Sequence, residues 1–196
     1  MKYVIMADGH MSRWHADTPK HLLRVGGETL LERLVRQLQA YDGACRVIIT
    51  SHDSRYEVAG AQRYEPQNNR LEIDRFTWEL IEDNTCFLYG DTFYTDEAVR
   101  TICRAGGRGL HFVGTESSIV AVIARDADLL RRHIRRVRES FLAGEISCCR
   151  GWQVYQSYTG QPFGPPRIAG DFTRLCDGTC GFNTWQEYQS FLERGQ

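Results

Sequence analysis

Lysine is almost missing from this chain. Of its 24 basic residues, 22 are Arg, and only Lys2 and Lys20 are Lys. A biased genome accounts for the Arg excess but not for Lys20, where a retained ammonium marks a need for a compact point charge. Long apolar runs are also missing, and nothing approaches the roughly 20 residues of a membrane span. The opening run Met1–Met6 meets Asp8 and Gly9 too early for a signal peptide, so a soluble cytoplasmic domain is expected. Net charge is −1, which argues against a basic nucleic-acid binder. Neither GxxxxGK[ST] nor GxGxxG occurs, which removes the P-loop and the dinucleotide fingerprint of dehydrogenases.

Seven Cys, an odd number spread along the chain, do not form a secreted disulfide framework. Cys45, Cys86 and Cys103 lie in apolar stretches and read as buried thiols. Cys148-Cys149 and Cys176-x3-Cys180 are poorly spaced for zinc, and His10, His15, His21 and His52 do not follow HExxH.

The 196 residues suit one domain, spanning 1–196, with ordinary globular composition at 42% hydrophobic and 25% charged. Tyr3–Met6 reads as a strand, followed by a polar loop through Gly27. Glu28–Tyr41 places Leu30, Leu31, Leu34, Val35 and Leu38 on one helical face. Arg46–Thr50 is a buried strand, and the resulting βαβ opening predicts a mostly parallel sheet. Leu71–Glu82 is expected to be helical, with Ile73, Phe76, Leu80 and Ile81 inward. Cys86–Tyr89 is a strand ending at Gly90-Asp91, and Thr95 is expected to cap the next helix. Leu110–Val113 and Ile119–Ala124 are further strands. Asp126–Leu142 is a long basic helix whose Arg131, Arg132, Arg135, Arg136 and Arg138 form a solvated face. Periodicity fails after Gly144 through Pro166, and Thr184–Glu193 closes the chain as a short helix. Trp152 and Tyr155, in the irregular region, suit either a pocket wall or the core.

In an open α/β sheet, ligands bind beyond the carboxyl ends of the strands. Three polar clusters fall there: Ala7–Lys20, Ser51-His52-Asp53 and Gly90-Asp91. Within the first, Gly9, His10, Ser12, Arg13 and Lys20 combine close backbone approach with charge suited to phosphates.

Three early segments carry a family resemblance. They are Met6-Ala7-Asp8-Gly9-His10-Met11-Ser12-Arg13, Thr18-Pro19-Lys20-His21-Leu22-Leu23 and Gly26-Gly27-Glu28-Thr29-Leu30-Leu31-Glu32-Arg33. They resemble the LAAGxGxR, TPKxL and GxxLLER blocks of the nucleotidyltransferases acting on sugar phosphates and choline phosphate. Tyr64–Asn69 is similar to the NN segment of choline-phosphate-type cytidylyltransferases. Leu88-Tyr89-Gly90-Asp91 is similar to the family's metal-binding GD, and Phe182–Tyr188 to its closing motif.

The resemblance implies a three-layer α/β/α, Rossmann-like domain of the nucleotide-diphospho-sugar transferase type, with Arg13 and Asp91 at the same end of the sheet. It implies transfer of a nucleotidyl group, CMP first, from a nucleoside triphosphate to a phospho-alcohol, phosphonate or sugar 1-phosphate. Lys20 would act on the α-phosphate and Arg13 on the β- and γ-phosphates. Ala7, Asp8, Gly9, His10, Met11, Ser12, Arg13, Lys20, Ser51, Asn69 and Gly90 would contact the nucleotide. Asp91 and Asn183 would hold Mg²⁺. A monomer or homodimer, without nucleic acid or membrane span, is expected. Met11 stands where the family has a second loop Gly, Asp8 replaces an Ala, and Gly181 stands where the closing motif begins with Asp. Those departures leave open a second reading, a nucleotide-binding regulatory protein without activity.

Overall fold

The computed structural model describes residues 1–9, 14 and 18–194. Chain order runs β1 (Lys2–Met6), β2 (Arg24–Val25), β3 (Glu28–Thr29), α1 (Leu30–Tyr41), β4 (Arg46–Thr50), β5 (Gln62–Tyr64) and β6 (Thr85–Tyr89). It continues through β7 (Thr92–Phe93), α2 (Asp96–Arg104), β8 (Leu110–Gly114), β9 (Ile119–Ala124) and α3 (Ala127–Leu142). The last elements are α4 (Gly151–Thr159), β10 (Phe172–Arg174), β11 (Cys180–Gly181) and α5 (Trp185–Glu193).

Seven strands form one sheet in the order β10-β8-β9-β6-β1-β4-β5. β1 pairs in parallel with β4 and β6, β4 with β5, and β8 with β10, while β9 runs antiparallel to both its neighbours. The sheet is therefore mostly parallel, as predicted.

Alternation along β1 builds two apolar layers, because successive strand residues face opposite ways. Tyr3 and Ile5 join Leu31, Leu34, Val35 and Leu38 of α1 and Ala98, Val99 and Ile102 of α2. Val4 and Met6 join Leu130, Ile134 and Val137 of α3 and Val154 and Tyr155 of α4 on the other face. Helices thus cover both faces, and the three-layer expectation holds.

The caps explain where the helices begin. Thr29 Oγ1 accepts from Glu32 N at 3.1 Å, and Glu32 Oε2 accepts from Thr29 N at 2.7 Å, a capping box. Thr95 Oγ1 accepts from Ala98 N at 3.0 Å, as its position predicted.

Leu71–Glu82 departs from the predicted helix. It forms two 3-10 turns, Glu72–Phe76 and Trp78–Leu80, separated by Thr77 at φ 39°. Asp74 accepts from the backbone N–H of Arg70 and Leu71 at 3.1 and 2.8 Å and pairs with Arg138 of α3, which ties the segment down locally. Ile73, Phe76, Leu80 and Ile81 still reach the core. A spacing of three suits a 3-10 turn as well as an α-helix.

The basic face of α3 is exposed at Arg132, Arg135 and Arg136, as predicted, and half-buried at Arg131 and Arg138. Besides the Arg138 pair, the guanidinium groups of Arg131 and Arg135 lie 5.9 and 5.6 Å from the centre of the Trp78 ring. Helix α4, in the stretch without periodicity, was not foreseen. No helix among the described residues is long and apolar enough to cross a membrane.

Met6 is in register with both Thr50 of β4 and Tyr89 of β6. The chain leaves all three strands at one level, and β4 and β6 lie on opposite sides of β1. This is the switch point where an open sheet offers a crevice. Core packing supports it: Phe87, fully buried on β6, meets Phe76 edge-on at 5.4 Å. Phe87→Ala is expected to cost about 3–5 kcal/mol in urea unfolding. Leu142→Ala, at a side chain 65% exposed, should change stability by less than about 0.5 kcal/mol.

Candidate active site

Two loops bring opposite charges together at that edge. Pro19 precedes a 3-10 turn, Lys20–Leu22, closed by Leu22 N donating to Pro19 O at 2.9 Å. The turn presents the Lys20 ammonium to Asp91, which follows β6, and the two form an ion pair. Both side chains are largely out of water, at 11% and 16% exposure. Gly90 allows the approach. Its N–H donates to Met6 O at 3.0 Å, and a Cβ there would lie 3.1 Å from Met6 O and 3.2 Å from the His21 ring.

Burial pushes the Asp91 carboxyl up, but the charges of Lys20, His21 and Arg75 and the Lys20 hydrogen bond outweigh it, leaving it below the ordinary carboxylate range. His21 is buried beneath the pair, with Nδ1 3.1 Å from Tyr56 Oη. Burial lowers its pKa to about 4; Asp91 opposes that shift, while Lys20 and Arg75 add to it.

A small ribbon brings the closing motif to the same place. β11 pairs antiparallel with β7, setting Gly181 opposite Thr92, and Phe182 N donates to Asp91 O at 3.1 Å. Asn183, next in line, lines the same cavity as Lys20 and Asp91. Its backbone N–H donates to Glu187 at 2.6 Å in the first turn of α5. At Gly181 a Cβ would meet Thr92 at 3.6 Å, an ordinary contact, so the site has room for a side chain there.

Asp8 is engaged by neighbouring side chains. Its carboxylate accepts from His52 N at 3.2 Å and from Asn69 Nδ2 at 2.8 Å, and lies 2.9 Å from His52 Nδ1. Asn69 also donates to the Asp8 carbonyl oxygen and lines the cavity. Ser51 is buried, with its N–H donating to Tyr64 O at 2.9 Å and its Oγ accepting from Asp53 N at 3.1 Å. Ser51, Ala7, Gly9 and Gly90 form the backing of the loops rather than the cavity lining. His10, Met11, Ser12 and Arg13 lie outside the described residues.

The cavity measures about 470 Å³ and carries residues that sequence reasoning missed. Glu72 and Arg75, three apart on the 3-10 turn, point into it while Ile73 and Phe76 turn to the core. Arg75 lies so close to Gly9 that a Cβ on residue 9 would fall 2.8 Å from its Cζ. Arg150 and Trp152, at the start of α4, and Ser117–Val120, from the end of the β8–β9 turn into β9, complete the far wall. Of the two aromatic residues left undecided by sequence, Trp152 lines the cavity and Tyr155 sits in the core. The signal for Arg75 was its place opposite the apolar face of its segment.

No family model matches the chain, and no curated protein matches it in sequence. Solved structures match it in fold. A CMP:2-keto-3-deoxy-manno-octonic acid synthetase complexed with CTP gives a TM-score of 0.63 at 14% identity, covering 100% of this chain and 99% of that one. The 4-diphosphocytidyl-2C-methyl-D-erythritol synthase from Anaerococcus prevotii gives 0.60 at 11% identity, covering 98% and 94%. A nucleoside-diphosphate-sugar pyrophosphorylase from Vibrio cholerae gives 0.58 at 12% identity, covering 97% and 99%. The fold is therefore the one these nucleotidyltransferases share, as the sequence motifs implied.

His21 makes the site sensitive to acid. The unfolded chain takes up this proton near pH 6.5 and the folded protein only near 4, so the unfolded state binds more protons between them. Stability contributed by neutral His21 is complete above pH 6.5 and falls as pH drops toward 4, by up to about 1.4 kcal/mol per pH unit. Urea unfolding of His21→Asn across this window should show a flatter pH dependence. An unchanged slope would remove His21 as its source.

Proposed function

We propose that this protein is a nucleotidyltransferase. An oxygen of a small phosphorylated acceptor attacks the α-phosphorus of a nucleoside triphosphate, the bond from that phosphorus to the oxygen bridging to the β-phosphate breaks, and pyrophosphate leaves. The observation that carries this reading is the meeting of Lys20 and Asp91 in a cavity at the switch point of a fold that such enzymes share. Nucleotidyl transfer asks a protein mainly for positioning and charge neutralisation, and this site has the means for both.

Lys20 takes the role of stabilising charge on the α-phosphate. Arg13 is assigned to the β- and γ-phosphates. Asn69, whose side chain is fixed on Asp8, faces the nucleotide side of the cavity. The resemblance of Tyr64–Asn69 to cytidylyltransferases makes CTP the first donor to test. The acceptor is a phospho-alcohol, phosphonate or sugar 1-phosphate.

Asp91 and Asn183 suit Mg²⁺ in a specific way. One carboxylate held in its charged form and one neutral amide two residues beyond the adjoining ribbon fit an ion that keeps waters and arrives with substrate phosphates. Among the described residues, no three His, Cys, Asp or Glu gather into a site that would hold a metal alone. Bound there, Mg²⁺ would supply neutralisation of phosphate charge. Lys20 and Asp91, which neutralise each other, are also the charges the reaction needs, so substrate entry exchanges their partners.

Pyrophosphate release across four triphosphates and a panel of phosphorylated acceptors should show turnover, with CTP preferred, that excess chelator abolishes. Lys20→Arg should keep the ion pair and the melting temperature but lower kcat about a hundredfold, near 3 kcal/mol. Near wild-type kinetics would exclude the role given to Lys20. Asp91→Asn should abolish turnover and also lower the melting temperature, because Lys20 is left without its partner. Triphosphate binding without turnover by the unmodified protein would favour a regulatory binding protein.

A further inference from the structure

The far wall of the cavity carries two guanidinium groups that belong to neither the Lys20–Asp91 pair nor the strand ends. Glu72 is shared by two guanidinium groups: Arg150 Nε donates to it at 3.1 Å, and Arg75 Nη1 lies 3.6 Å away. The second separation is beyond hydrogen-bond reach, so it is charge attraction only. Arg75 is nevertheless only 19% exposed, held between Gly9 and the cavity. A largely buried guanidinium carries five N–H donors that need partners. Here they remain available to whatever occupies the space they line. The three groups together carry a net charge of +1 beside a Lys20–Asp91 pair that cancels itself.

Arg75 stands between the Gly9 loop and this wall, and Arg150 belongs to the wall itself. Tyr89, Ser117–Val120 and Arg150–Trp152 lie on the β6–β9 half of the sheet, away from the β4 side where Asp8 and His52 meet. We propose that Arg75 and Arg150 form the specificity site for the acceptor, which bears a second anionic group at the end away from its reacting phosphate. This rests on the transferase reading for its role, not for the charge itself. Guanidinium groups bind carboxylates and phosphates alike through paired N–H donors, so either group serves.

The same wall disfavours a cationic acceptor such as a choline phosphate, despite its aromatic lining. A cage for an alkylammonium needs open ring faces. Trp152 is stacked on Phe172 at 5.8 Å and 11°, and its Nε1 donates to Ser117 O at 3.2 Å. One face and the polar edge are thus taken, and two Arg stand nearby.

Calorimetric binding to the full chain tests this without turnover. Four acceptors share a phosphate and differ at the other end: 3-phosphoglycerate, propane-1,3-diol bisphosphate, glycerol 3-phosphate and phosphocholine. The first two should bind at least about tenfold more tightly than the last two. Arg75→Gln combined with Arg150→Gln should erase the preference while the melting temperature holds. Comparing the first two shows whether a carboxylate or a phosphate is favoured. Equal or tighter binding of phosphocholine, no binding of either doubly anionic acceptor, or a preference that survives both substitutions would overturn the proposal. A protein that shows the preference yet releases pyrophosphate from no triphosphate would retain the anion site and lose the transferase reading.

Discussion

The ion pair between Lys20 and Asp91 joins loops 71 residues apart in sequence and sets the form of everything near it. Two charges largely withdrawn from water are tolerated only together, since either alone would carry an uncompensated desolvation penalty. The chain after β6 passes tightly over β1 on its way to the pair, which leaves a side chain at position 90 little room. The pair also requires that the group beneath it add no further positive charge. His21 meets that condition by remaining neutral down to about pH 4. Asp8, at the end of the neighbouring strand, is engaged by His52 and Asn69, so its charge does not compete for Lys20.

Much of this arrangement was legible in the sequence because its signals are local. The stripe on α1, the cap at Thr95 and the apolar strands each depend on residues within a few positions of one another. Polar clusters after the strands pointed to one edge of the sheet, and Lys20 and Asp91 meet there. Helix α4 left no such signal. Gly151, Gln153, Val154, Tyr155, Gln156 and Ser157 are all buried, so the helix has no polar face to set against an apolar one. Strand β10 is three residues long at the sheet edge, too short to alternate visibly.

Where partners are distant in the chain, sequence reading met its limit. Nothing near Asp8 in sequence announces its partners, which come from the turn after β4 and from Asn69. Arg75 was hidden in a segment whose spacing of three and four suits an α-helix and a 3-10 turn alike. The left-handed residue Thr77 ends the first turn there, and nothing in the side chain of Thr asks for that conformation.

Trp14, Leu23, Val25, Leu30, Phe93, Phe182, Tyr188 and Phe191 form a third apolar cluster, separate from the two that sandwich the sheet. Its aromatic rings meet closely, with Phe191 4.8 Å from Phe93 and 5.1 Å from Phe182. Asn183 is anchored on this minor core, whereas Asp91 continues directly from a strand of the major one. The cavity therefore draws its lining from parts of the chain that rest on separate apolar clusters, and local opening follows such divisions. Amide protons of α5 and the β7–β11 ribbon would exchange through openings that leave β1, β4 and β6 protected. A local excursion of that kind would dismantle one wall of the cleft while the rest of the molecule stays folded.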